Sequence, residues 1–194
     1  MGVVRVVISN RKLQSAFLTA PEALRLIQGH ESNVIGGVTT VVFTVSVGLM
    51  SGKTNTPFDH FLKMRKSLHS SLRGLGIPLR MIWVRENATN VGEHVHGMIY
   101  LPSFFSKHPG KAIRTRFIGN GPNPLHGALQ VRKVKPHEGD PEAGSWVWLA
   151  YMLKGVDPLR ADLISKYLPE GIDIEPAPQG LVKGNRSSSC AAKR

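Results

Sequence analysis

The chain has 194 residues, 41% of them hydrophobic, which suits one globular domain with its own core. Twenty-five Lys and Arg against thirteen Asp and Glu give a formal net charge of +12, a balance that favours a polyanionic partner through counterion release. No apolar run reaches the roughly 20 residues that cross a bilayer, no signal-peptide pattern opens the chain, and the single cysteine, Cys190, excludes an internal disulfide, so a reducing cytoplasm is the expected setting.

Residues 1–37 show weak periodicity, with one short helical pattern at Pro21 to Gln28 and no evident role. From Val38 to Val47 the sequence VTTVVFTVSV is β-branched and alternating, which predicts a strand. Val41, Phe43, Val45 and Val47 share one side of it, and Thr40, Thr44 and Ser46 the other. Ser51 to Thr56 is turn-rich. Pro57 then opens a helix, with Thr56 as N-cap and Asp59 in the first turn. Phe58, Phe61, Leu62, Leu68, Leu72 and Leu75 form its apolar stripe, Lys63, Lys66 and Arg73 fall elsewhere, and Gly74, Gly76 and Pro78 end it.

Arg80 to Glu86 and Glu93 to Leu101 read as strands joined by a short polar link, Asn87 to Gly92, hence an antiparallel hairpin. Residues 103–126 are basic and Gly/Pro-rich, a helix or loop excursion; Leu129 to Val134 is a fourth strand. Pro136 to Gly144 reads as an acidic loop, Trp146 to Lys154 as a helix stopped by Gly155 and Asp157-Pro158, and Leu159 to Tyr167 as a second short helix. Residues 174–194, rich in Pro, Gly, Ser and basic side chains, read as a flexible tail, leaving 38–173 as the domain. This order predicts an α+β fold, an antiparallel sheet of four to five strands with helices on one face and the other face open.

Within Glu93 to Leu101, period-two geometry sends His94, His96, Met98 and Tyr100 to one side. Two imidazoles one residue apart can converge on one cation, although two solvated strand histidines would look the same. Glu86 ends the partner strand, where the hairpin brings it across from His94. Two imidazoles and one carboxylate make a three-ligand site with open positions, as catalytic metals require; Mn²⁺ suits it readily and Mg²⁺ acceptably. Glu93 competes with Glu86 for the third place, but alternation turns it away.

Tyr151-Met152-Leu153-Lys154 sets a phenol and an ammonium three residues apart on a helix, side by side. A tyrosine that cuts a phosphodiester needs such a cation at the phosphate; an interfacial tyrosine with a lysine reaching past it gives the same pattern. Trp148, one turn earlier, reads as core. Of the other tyrosines, Tyr100 lies roughly 13 Å of strand beyond His96, and Tyr167 has no lysine three residues on.

Three blocks in one order, FTVSV (Phe43 to Val47), WVREN…EHVHGMIYLP (Trp83 to Pro102) and WLAYMLKG (Trp148 to Gly155), resemble the HUH endonuclease superfamily, and within it the small single-tyrosine rolling-circle replication initiators of phages and plasmids. His94-Val95-His96 matches the histidine–hydrophobic–histidine motif, Glu86 the upstream carboxylate, and Tyr151 with Lys154 the Y-x-x-K motif, over residues 38–158. The resemblance implies a ferredoxin- or RRM-like sheet carrying the metal on its open face beside the tyrosine helix. It further implies cutting of single-stranded DNA near an origin hairpin through a 5′-phosphotyrosine, leaving a 3′-hydroxyl. No G-x-x-x-x-G-K-[ST] loop occurs, so unwinding falls to a partner such as a host helicase. Two other readings share these residues: a single-strand transposase of a mobile element, and a DNA-binding repressor that keeps the fold without the chemistry.

Overall fold

A computed structural model describes residues 18–34, 37–46, 57–88, 92–119, 127–175 and 188–191. In chain order the elements are α1 (Ala20–Val34), β1 (Val38–Ser46), α2 (Pro57–Gly74), β2 (Arg80–Ala88), β3 (Gly92–Pro102), α3 (Pro109–Ile118), β4 (Leu129–Lys133), α4 (Pro141–Leu153), α5 (Pro158–Ser165) and β5 (Ser188–Ala191). The fold is α+β, as expected. Its strands lie in the order β4-β1-β3-β2-β5, every neighbouring pair antiparallel.

The hairpin forms in the register that strand alternation requires. Glu86 lies opposite His94 and Val84 opposite His96 on β2, while Thr44 faces His96 and Ser46 faces His94 on β1. A slip of one residue would send the whole His94, His96, Met98, Tyr100 set to the other side of the sheet.

The helices occupy both faces, which corrects the expectation of one covered and one open face. One face buries Val41, Phe43, Val45, Met81, Trp83, Val95 and Ile99 under α2 and α3. The other buries Val42, Ile82, Val84, Met98 and Tyr100 under α1 and α4, with Ile164 of α5. A β-strand of alternating apolar and polar residues exposes one side, but this sheet has apolar residues on both sides of its middle, so both must be covered. The end of the second face carrying Glu86, His94 and His96 departs from this apolar packing.

Several boundaries differ from expectation. The N-terminal pattern extends to a full helix, because Ala23, Leu26, Ile27, His30 and Val34 keep one buried stripe. Helix α4 starts at Pro141, inside the segment read as an acidic loop: the Asp140 carboxylate caps it, accepting from the Glu142 amide at 2.8 Å. Leu75, expected on the buried stripe of α2, is 54% exposed because α2 ends at Gly74. Part of the segment read as a flexible tail is strand β5, which continues the ladder beyond β2. Thr56, the expected cap of α2, and Val47 lie outside the described residues. Among the described residues no helix is long and apolar enough to cross a membrane.

Candidate metal centre

Glu86, His94 and His96 are all buried, and their ligand atoms lie within 4.8 Å of one another. Their convergence follows from the hairpin: β3 alternation puts both imidazoles on one side, and the antiparallel register sets Glu86 beside them. Glu86 Oε2 is 3.9 Å from His94 Nε2 and 3.8 Å from His96 Nε2. Glu93 behaves as alternation dictates. It turns to the opposite face and pairs with the Arg85 guanidinium, which also lies 4.3 Å over the Phe58 ring.

Both imidazoles are held from behind. His94 Nδ1 is 2.9 Å from the Gly92 carbonyl oxygen, which can only accept, so Nδ1 donates there and Nε2 is turned toward Glu86. Thr44 Oγ1, reaching across from β1, is 3.0 Å from His96 Nδ1 and can accept its proton in the same way. Such outer contacts fix ring orientation and tautomer in metal sites. Metal–ligand bonds of about 2.1 Å place neighbouring ligand atoms about 3 to 3.5 Å apart, so a bound ion would draw these atoms, now within 4.8 Å of one another, inward by up to about 1 to 2 Å. The donor set, two imidazole nitrogens and one carboxylate oxygen, fits a divalent metal ion, and these three residues could hold one.

Helix α4 delivers the remaining groups. Tyr151 stands in its last turn and Lys154 is its C-cap. Lys154 Nζ donates to the Tyr151 hydroxyl at 3.2 Å and lies 3.5 Å from Glu86 Oε2. The Tyr151 ring meets the His96 ring edge-on, centroids 5.2 Å apart, and lies 5.1 Å from Trp148. A carboxylate at 6% exposure costs several kcal/mol unless compensated, and the ammonium beside it supplies compensation. Trp148 is half-buried against the core, with the Arg132 guanidinium 5.5 Å over its ring. All five expected site residues thus converge, and Tyr151 is 41% exposed. Neither other tyrosine joins them. Tyr100 is buried and bonded to His30, and Tyr167 is exposed beyond α5.

Sequence reasoning missed the contacts that set α4 against β3. His30 of α1 is fully buried, with Nδ1 2.8 Å from the Tyr100 hydroxyl, Nε2 3.2 Å from Ser145 Oγ, and its ring edge-on to Trp146. One side chain thereby ties the strand bearing both histidines to the helix bearing Tyr151. Burial lowers its pKa from 6.5 to about 4, so the ring is neutral near pH 7. The available signal was a histidine recurring on the apolar stripe of α1. Next to Lys154, Leu18 N donates to the Gly155 carbonyl at 2.7 Å, anchoring the C-terminal end of the same helix.

Comparison with protein-family models, characterised proteins and solved structures finds no match to this chain. The site therefore stands on its own geometry.

Proposed function

We propose that this protein is a metal-dependent, site-specific single-stranded DNA endonuclease and strand transferase of the HUH type, acting through Tyr151 as in rolling-circle replication initiation. The observation that carries this reading is the meeting of a half-exposed tyrosine, a lysine ammonium and a buried His-His-Glu cluster at one end of a face of the sheet.

Glu86, His94 and His96 would hold Mg²⁺ or Mn²⁺, which when bound supplies positive charge to the scissile phosphate. Lys154 adds a second positive charge, placed to stabilise the phenolic oxygen as it loses its proton and the phosphate as negative charge builds. The Tyr151 oxygen forms a bond to phosphorus as the bond from phosphorus to the 3′ oxygen breaks. The 3′ end leaves as a hydroxyl after taking up a proton, and the 5′ side stays esterified to Tyr151. The ester conserves the phosphodiester linkage, so a later 3′-hydroxyl can reverse the attack and rejoin strands. Trp148 and the edge-on contact with His96 orient the tyrosine ring.

The test is incubation with single-stranded oligonucleotides from the flanking origin, with Mn²⁺ or chelator. The wild type should yield a nick and a denaturant-resistant adduct only with metal, and Tyr151→Phe should bind DNA and metal yet yield neither. Metal-independent nicking, or nicking by the phenylalanine variant, would refute the proposal.

A further inference from the structure

The charges on the two sides of the sheet are segregated. Helices α2 and α3, with the 103–108 connection before α3, hold eight Lys and Arg against one carboxylate, Asp59. On the other side, residues 134–175 hold four Lys and Arg against eight Asp and Glu. A basic excess serving solubility alone would be interspersed with acids, as mixed surfaces are. Here it is gathered on the side away from the metal centre.

The gathering has a shape. Ser67 Oγ donates to the Arg116 carbonyl at 3.1 Å, which joins α2 and α3 side by side over the sheet. Lys63, Lys66 and Arg73 are exposed and fall within one narrow stripe of α2, spanning about 15 Å of helix axis. Lys111 and Arg114 are exposed on α3, one turn apart, and Lys107 stands just before it. Among the described residues none of these six makes an ion pair with a carboxylate. Phe104 is 82% exposed at the same end, and Phe105 beside it packs under the Arg116 guanidinium.

We propose that the exposed sides of α2 and α3 bind the phosphate backbone of duplex DNA, anchoring the protein by a surface separate from the metal–tyrosine site. Among the described residues the surface offers one exposed aromatic ring, Phe104, whereas single-strand sites line a groove with several stacking rings. Rows of cations on rigid helices instead match the regular phosphates of a duplex, fixing position without reading sequence. A membrane surface fits less well: the apolar sides of α2 and α3 are spent on the core, so neither helix has an apolar face to insert. The proposal goes beyond the nicking reading and does not depend on it.

The experiment measures anisotropy of a labelled duplex of about two helical turns, and of a short single strand, with the full-length protein across a salt series. Lys63→Glu/Lys66→Glu/Arg73→Glu should weaken duplex binding about tenfold or more and lower the log–log salt slope by about 2 to 3, near 0.9 per lost phosphate contact. The control, Lys135→Glu/Arg160→Glu/Lys166→Glu, makes the same charge change at exposed positions outside this surface and should move duplex affinity less than about threefold. Circular dichroism confirms folding, and the corresponding triple Gln variant gives the same ranking without added negative charge. Nicking of saturating short single strands should be unaffected by the α2 variants, so failure here leaves the nicking proposal standing. Equal weakening by both triple Glu variants, unchanged duplex affinity in the α2 variants, or tighter binding to phosphatidylserine vesicles than to duplex would overturn the proposal.

Discussion

The two faces of one sheet have been put to opposite uses, and strand β3 contributes to both with alternate residues. Val95, Gly97 and Ile99 point into the apolar packing beneath α2 and α3. His94 and His96 point into a polar cluster beneath the end of α4. Fit dominates on the first face. Phe43 stacks on Phe61 and meets Phe117 edge-on, and its ring lies where a side chain at position 97 would go. Chemistry dominates on the second, where buried polar groups are retained at a cost that packing alone would not favour. Mutations on the two faces should therefore separate stability from activity.

The largest effect should come from the polar face. His94→Ala with His96→Ala should lower metal-dependent cleavage by more than about 10³-fold, since a site left with one ligand does not hold metal at working concentrations. Calorimetric titration with Mn²⁺ should lose its binding heat while circular dichroism stays unchanged. A folded, metal-free variant that still cleaves would dissolve the distinction between the faces.

On the packed face, Gly97→Ala should destabilise by about 3 kcal/mol. The added Cβ would overlap the Phe43 ring and sit 2.6 Å from the Ile82 carbonyl oxygen, which as backbone cannot swing away. Urea denaturation measures this; a loss below about 1 kcal/mol would mean that Phe43 repacks freely.

His30 sharpens the comparison because it is a polar group used for fit. Its pKa is 6.5 unfolded and about 4 folded, so between those values the unfolded chain binds more protons than the native one. Stability must then fall as pH drops from about 6.5 to 4, by at most about 3 kcal/mol from this group, and be unaffected by it above that window. Denaturation curves at pH 7 and pH 4.5 should show a smaller difference for His30→Gln than for the wild type. An identical difference would show that another group carries the acid sensitivity.

The smallest expected effect separates the two candidate carboxylates. Glu93→Gln should cost about 1 kcal/mol or less through its partly buried pair with Arg85 and leave cleavage within about twofold, whereas Glu86→Gln should abolish it. Reversal of that order in a nicking assay would exchange their roles.

Much of this site was legible because strand alternation is short-range and unforgiving. His94-Val95-His96 could only send both imidazoles one way, and a short link could only bring Glu86 back beside them. The spacing of Tyr151 and Lys154 likewise brought them together through helix geometry alone. What escaped was set by tertiary packing. Nothing local in SSCA specifies that β5 will add to β2, and helices on both faces become visible only once the apolar residues on both sides of the sheet are counted together. The early start of α4 was written in Asp140-Pro141-Glu142, a cap, a first-turn proline and a first-turn acid, but the Gly and acidic residues around it read as a loop.

The most direct test of the central claim is to trap the covalent complex of the wild-type protein with a single-stranded origin oligonucleotide and Mn²⁺, digest it, and locate the modified peptide by mass spectrometry. The account predicts a 5′-phosphate ester on Tyr151, in the peptide ending at Lys154, absent in chelator. An adduct on exposed Tyr167 or buried Tyr100, or cleavage with no adduct at all, would contradict it.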